Sequence, residues 1–515
     1  MQGKRLYAVV LILLICFAIT VCDSQPDNNP VTLTLTYDEA VKKVTFTDDS
    51  AIVNFANLNN HDIYLVMVNS SDLSVPAAST GSVVRALSAI PPDHMTETKN
   101  YANLPPIDKA RSTGLTADIV PYGIGSKKNF WVLKNYGGSV WESRQATLMA
   151  SGVHGNIWIM DENIYAGKSE SIISDVKAQE LASQFDRIYP LATNLLGYEY
   201  GGGPNGNGGV DGDKKIQILV YDFYELYHWS EETTTAGSFL PKDFFTQEEL
   251  TSWGWKDKTN LAEIFYLNAN TVIASPDYAY SLLIHEFQHM INFNMKYVKH
   301  GENAATWYNE MLSTMAEDVI APLIGIGHTS PGHPISMRIP RFLDSYSKYG
   351  ITEWGLAGDS YAVLYAFGAY LVRNYGGPGL LKSILGNDKV NVDSLTLALK
   401  EFSRDMDFAQ ALNRYSEAMI FSGSSMPKGV VSFDRTVTSK VNGKEYTAYG
   451  FNIWQTFRRD TYDLGPLISD FGPASMRPNS VIIQSDSQWR NKSGYFSITL
   501  EKPANPNIEL FLLAR

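Results

Sequence analysis

Cysteine is almost missing from this chain. Only Cys16 and Cys22 occur among 515 residues, and both fall in or beside the first apolar stretch. Everything after them therefore folds without an intramolecular disulfide, and a chain of this length can bury a core large enough to do so. Dense clusters of Lys and Arg are also missing. The net charge is −12, which disfavours a nucleic-acid-binding or anionic-membrane surface. Histidine is scarce as well, with nine residues in the whole chain, so any close pair of histidines carries weight.

What remains is an ordinary globular composition, 44% hydrophobic and 19% charged, at a length that argues for two to four domains. Aromatic residues run high, with 29 Tyr and 10 Trp. They suit β-sheet cores and extended polypeptide- or sugar-binding clefts alike. The N-terminus reads as a targeting segment. Lys4 and Arg5 precede the 13-residue apolar run Leu6 to Ala18, too short to span a bilayer comfortably but right for a signal peptide over residues 1–22. Ile19-Thr-Val-Cys22 loosely follows a bacterial lipobox, with Val21 departing from the small residue expected there. The expectation is export, as a cell-surface or periplasmic lipoprotein anchored at Cys22 or as a secreted protein, with the polar stretch 23–30 as a tether.

The chain is organised around Ser281-Leu-Leu-Ile-His-Glu-Phe-Gln-His-Met-Ile-Asn-Phe293. Its His285, Glu286 and His289 follow the order His-Glu-x-x-His. On a helix, residues four apart lie about 6 Å from each other on one face, so both imidazoles can converge on one ion. That pattern suits Zn²⁺, completed by a carboxylate and keeping one position open for water, with Glu286 placed to accept the water's proton. Ser275-Pro-Asp277 reads as the helix start. No Gly or Pro interrupts the helix through Lys296, and its apolar surroundings mark it as buried. Chance alone produces the motif in roughly one chain of this composition in a hundred. The competing interpretation is a pair of hydrogen-bonded core histidines.

Around this helix, residues 31–120 alternate with period two, as in Ala51-Ile-Val-Asn-Phe55 and Asp62-Ile-Tyr-Leu-Val-Met-Val68, and predict an N-terminal β-sandwich that ends in a Pro-, Ala- and Ser-rich connector. Strands and helices then alternate over 128–422. Within this stretch the turn-rich loop Tyr200 to Asp213 places Asn205, Asn207, Asp211 and Asp213 where oxygens can gather around Ca²⁺, although the spacing is not that of an EF-hand and a plain surface loop fits as well. The strand Ile264 to Ala269 precedes the metal helix and is expected to form the cleft's upper rim, with Asn268 and Ala269 as backbone contacts for a substrate. Residues 328–350, holding His328, His333 and Arg338, read as a loop bordering the cleft. Residues 430–515 return to strands and predict a second, C-terminal β-rich domain.

A second helix, Trp307 to Ile320, follows the metal helix. Twenty residues separate His289 from Glu310, enough for a turn and an antiparallel return that brings Glu310 beside the histidines. His-Glu-x-x-His followed at this distance by Asn309-Glu310 resembles the gluzincin metallopeptidases. The Trp-x-Asn-Glu context, the preceding Asn-Gly/Asp-Gly loop and strand, and the helix from Tyr361 to Tyr375 make residues 128 to 420 similar to the hyicolysin-type family. The resemblance implies an α+β fold in which a zincin-like (thermolysin-like) metallopeptidase domain is flanked by N- and C-terminal β-sandwich domains. It implies zinc held by His285, His289 and Glu310, and a Tyr or His aimed at the oxyanion, for which Tyr361 is the first choice and His333 the second. Thermolysin-like enzymes orient the first His with an Asp four residues after the ligand Glu. That position is Thr314 here, which leaves Ser313, Glu317 and Asp318 as replacements. The expected function is an exported zinc endopeptidase acting on polypeptides, and the alternative is a surface adhesin or matrix- or carbohydrate-binding lipoprotein with a structural metal helix.

Overall fold

The computed structural model describes residues 35–76, 122–134, 140–161, 173–223, 235–355, 357–425, 427–468 and 475–515. The leader with Cys22, the tether and the connector from Ser82 to Leu115 lie outside the described residues. Among the described residues no helix is long and apolar enough to cross a membrane.

The N-terminal part forms a one-turn helix, α1 (Tyr37–Ala40), and strands β1 (Val41–Lys43), β2 (Ser50–His61), β3 (Ile63–Asn69) and β4 (Val75–Pro76). There follow β5 (Lys127–Leu133), β6 (Trp141–Ser151), β7 (Gly155–Met160), α2 (Asp175–Leu196), β8 (Ile216–Tyr221), β9 (Gly237–Phe239), α3 (Gln247–Ser252) and β10 (Ile264–Asn268). Strands β5 to β10 make one six-stranded sheet in the order β5-β6-β7-β8-β10-β9. Its inner strands β7, β8 and β10 are parallel and wholly buried, which is why they read as unbroken apolar runs rather than as alternations. On one face Phe130, Leu148, Trp158, Leu219 and Tyr266 pack together.

Helices dominate the next stretch: α4 (Ala269–Ala274), α5 (Pro276–Asn292), α6 (Thr306–Ile320), α7 (Pro334–Ser345), α8 (Ala357–Asn374), α9 (Gly379–Gly386), α10 (Asn391–Phe402) and α11 (Phe408–Phe421). Helices α2 and α5 cover the other face of the sheet, where Phe185 of α2 meets Phe265 of β10 at 5.8 Å and Phe287 of α5 at 5.2 Å between ring centres. Residues 334–345, expected to be loop, form α7. His333 accepts from the Ile335 N–H at 3.2 Å, and Pro334 occupies the first helical position. A proline there loses no hydrogen bond the helix needs, so it starts α7 instead of breaking it.

The chain ends in β11 (Val437–Val441), β12 (Lys444–Ala448), β13 (Ser475–Met476), β14 (Ser480–Gln484), β15 (Lys492–Glu501) and β16 (Ile508–Ala514). The expected pair of separate terminal sandwiches is replaced by shared sheets. N-terminal β3 lies between C-terminal β16 and β14, giving the order β1-β16-β3-β14, while β15 pairs with β2 and β13 with β4. Val66 of β3 faces Phe511 on one side and Ile483 on the other. A strand as apolar as β3 needs partners on both edges, and alternation along a sequence says that a strand exists without saying which strand it pairs with. Residues 35–515 consequently form one compact unit.

Candidate metal centre

Helix α5 starts at Ser275-Pro276 and buries every residue from Ser281 to Asn292. It then widens into a π-helical turn over Phe293–Val298, a departure from regular helix that recurs at functional sites. Helix α6 packs beside it. Their facing side chains bring His285, His289 and Glu310 together, with one donor atom from each lying within 4.8 Å of the others.

Both histidines address the same carboxylate oxygen. Glu310 Oε2 is 3.0 Å from His285 Nε2 and 3.4 Å from His289 Nε2, and the two rings stand nearly perpendicular at 87°. Donors about 2 Å from a tetrahedral zinc are spaced about 3.3 Å from each other, so these distances fit such an ion. Charge argues the same way. Glu286, Glu310 and Glu317 surround two imidazoles and a single guanidinium, Arg338, and all three carboxylates are 6% exposed or less. Burial works against an imidazolium at His285, but Glu310 and Glu317 outweigh it and push its pKa up to about 10. Burial likewise opposes ionised Glu310, yet the two histidines hold it well below the usual carboxylate range. Both shifts report one demand for positive charge, which a divalent cation meets.

Of the three candidates for orienting His285, the structure brings Glu317 to it. Glu317 Oε1 lies 2.7 Å from His285 Nδ1 and 3.2 Å from Arg338 Nη2. Ser313 turns to the other histidine, 3.1 Å from His289 Nδ1, and also donates to Gln288 Oε1. Asp318 faces away and pairs with Arg373 at 2.7 and 3.2 Å. Thr314 bonds the carbonyls of Glu310 and Met311 within its own helix. Residues seven apart return to one helix face, so Glu310 and Glu317 take the two nitrogens of one imidazole.

Glu286 is 4% exposed. Burial pushes its carboxyl up to about 7, against the pull of His285 and His289. No hydrogen bond or ion pair holds it among the described residues. It lies against Gly237 of β9, where a Cβ would sit 2.5 Å from Glu286 Oε1. The strand over the site is therefore β9, at the sheet's edge. The strand expected in that role, β10, is interior and paired on both sides. Asn268 is engaged structurally, with its side chain accepting from Asn270 N and donating to Thr235 O, and Ala269 opens α4. A three-residue Gly-Ser-Phe strand is too short to carry a period-two signal.

Tyr361 comes from α8 into the same site. Its ring centre is 5.9 Å from that of His285 and 5.0 Å from that of Trp354, and the Arg338 guanidinium lies 5.0 Å from it. Burial first, then Glu310 and Glu286, drive its hydroxyl pKa well above the ordinary value. His333, the second choice, is fully buried and turned to the Asp318 carbonyl, 3.2 Å from its Nε2. Tyr278 escaped the sequence reading. Burial pushes its hydroxyl pKa up to about 12 against the pull of Arg338, with Glu317, Glu286 and Glu310 adding to the rise. Its signal was present, because it precedes His285 by seven residues and shares its face of α5.

A family model described as Peptidase M30 matches residues 140–440. Over 298 residues the chain is 26% identical to "Neutral metalloprotease ShpI" of Staphylococcus hyicus, a match that covers 54% of this chain and 59% of that protein. The chain thus spans less than two thirds of the length of this curated relative.

Proposed function

Since this chain belongs to the Peptidase M30 family, we propose that it is an exported zinc endopeptidase whose catalytic unit lies within residues 128–422. The observation that carries this reading is the convergence of His285, His289 and Glu310 at a buried position, beside a Glu286 carboxylate that no hydrogen bond or ion pair holds among the described residues. His285, His289 and Glu310 would hold the ion. When bound, zinc supplies a Lewis acid that polarises a carbonyl and makes water nucleophilic near neutral pH. Glu317 accepts the Nδ1 proton of His285, which fixes the ring and leaves Nε2 free as a donor. Arg338, with Nη2 3.2 Å from Glu317 Oε1, holds that carboxylate in place. Glu286 accepts a proton from the attacking water and passes it to the nitrogen of the leaving amine. Tyr361, with Arg338 against its ring, is assigned to the developing oxyanion. A zincin-like arrangement of the catalytic unit is part of the proposal, supported by a sheet whose antiparallel edge strand β9 overhangs α5. Export rests on the leader of residues 1–22, and contact with a membrane is assigned only to a lipid on Cys22.

The test is hydrolysis of casein by the purified protein, with and without a zinc chelator, beside a Glu286→Gln variant. The parent should be active and lose activity to the chelator. The variant should keep its zinc and lose about 10²–10⁴ in rate, the usual cost of a missing general base. A variant as fast as the parent would overturn the role of Glu286. A zinc-loaded parent with no activity on casein or gelatin would favour the adhesin reading.

A further inference from the structure

Between α2 and β8 the chain runs Tyr200-Gly-Gly-Gly-Pro-Asn-Gly-Asn-Gly-Gly-Val-Asp-Gly-Asp213. This loop folds back on itself, with the Gly208 N–H donating to the Gly201 carbonyl at 3.0 Å. Its glycines leave room that side chains would fill. A Cβ at Gly206 would lie 2.1 Å from the Gly201 carbonyl oxygen, and one at Gly208 2.4 Å from that of Gly212.

Glu263, the residue before β10, presses into this loop from outside it. A Cβ at Gly209 would lie 1.9 Å from Glu263 Oε1 and 2.3 Å from Oε2. Glu263 is 2% exposed. Its Oε1 accepts from the Val210 N–H at 2.8 Å, while Oε2 is buried without a hydrogen-bond partner. Asp211 is beside it. Its Oδ1 accepts from the Asp213 N–H at 2.9 Å, and burial first, with Asp213 adding to it, pushes its carboxyl up to about 7. Burial and then Asp211 act on Glu263 in the same direction. Neither carboxylate forms an ion pair among the described residues. Asp213 is already committed, accepting from Asn156, Gln217 and the Lys215 N–H, and Asn205 is exposed.

A buried carboxylate with one oxygen left unbonded, beside a second, half-buried carboxylate, is costly unless a cation or a shared proton compensates the pair. The donors on offer are carboxylate and carbonyl oxygens, with no imidazole or thiolate, which favours a hard ion over zinc. We infer that Asp211 and Glu263, together with carbonyl oxygens of the glycine turns, bind a calcium-class divalent cation. The site is separate from the zinc ligands but joined to their helix. Gly197, at the end of α2, packs on Met295, and Asn294 in the π-helical turn after α5 donates to the Tyr198 carbonyl at 2.7 Å. Occupation would therefore brace the end of the metal helix.

The experiment is thermal unfolding of the zinc-loaded, full-length protein with increasing calcium chloride, in parallel with Glu263→Gln and Asp211→Asn. Saturating calcium should raise the parent's melting temperature by roughly 5 °C or more, and both variants should lose that response. Sensitised terbium luminescence of the parent provides a second measurement in case a variant fails to fold. Emission displaced by calcium, and far less by equal magnesium, supports the site. A parent indifferent to calcium, absent terbium emission, or a calcium response that survives in both variants overturns it. A Glu263→Gln variant more stable than a calcium-indifferent parent identifies the pair as sharing a proton instead.

Discussion

Glu317 and Asp318 are adjacent carboxylates on α6, both buried and both paired with an arginine, yet they belong to different parts of the molecule. Glu317 points to His285 and Arg338 at the candidate metal centre. Asp318 points to Arg373, which in turn donates to the Tyr449 carbonyl at 3.0 and 2.7 Å. One step along a helix rotates a side chain by about 100°, so neighbours with the same charge serve a site on one face and a structural tie on the other. Residue type and burial do not separate the two roles. Only the facing partner does.

Three substitutions along α6 test that division, taken here from the largest expected effect on metal binding to the smallest. Glu310→Ala removes a donor shared by both histidines, so zinc stoichiometry should fall far below one per chain and activity should vanish. Full zinc occupancy in this variant would sink the gluzincin ligand set. Glu317→Gln keeps all three donors but removes the anion that fixes the His285 ring, and such losses typically cost about 10–100-fold in metal affinity or activity. Competition against a chelator of known affinity measures it, and unchanged affinity would assign Glu317 to structure alone. Asp318→Asn strands the Arg373 guanidinium in the interior. Folding should weaken by about 3–5 kcal/mol, read by denaturant unfolding, with zinc affinity unchanged in the folded protein. If zinc affinity fell as far as in Glu317→Gln, the two faces would be one functional unit.

The convergence of His285, His289 and Glu310 as a candidate metal site was legible in the sequence because its geometry is local. Four-residue spacing on one uninterrupted apolar helix places His285 and His289 together, and the twenty residues before Glu310 leave room for a single reversal. The choice of Glu317 over Ser313 and Asp318 was not legible. It depends on the rotation of α6 about its axis, which is set by packing against α5. The overhanging strand was misplaced for a related reason, since whether β10 is an edge strand depends on what lies beside it, and β9 is only three residues long. His333 looked like a cleft residue from its glycine- and proline-rich neighbours, but it caps α7 and faces Asp318.

The chain's two ends draw the same line on a larger scale. Sequence by itself determined that both ends are β-rich, that the middle mixes strands with helices and closes in helices, and that one helix carries two histidines and a glutamate, because hydrophobic periods and short spacings are properties of a few consecutive residues. Only the tertiary structure decided that β3 lies between β14 and β16, more than 400 residues away in the chain, and that Glu263 meets Asp211 across more than 50. The backbone bonds of β3 are made with strands far off in sequence, and Glu263 comes to lie beside a second carboxylate also distant along the chain; no local pattern encodes which distant partner it will be.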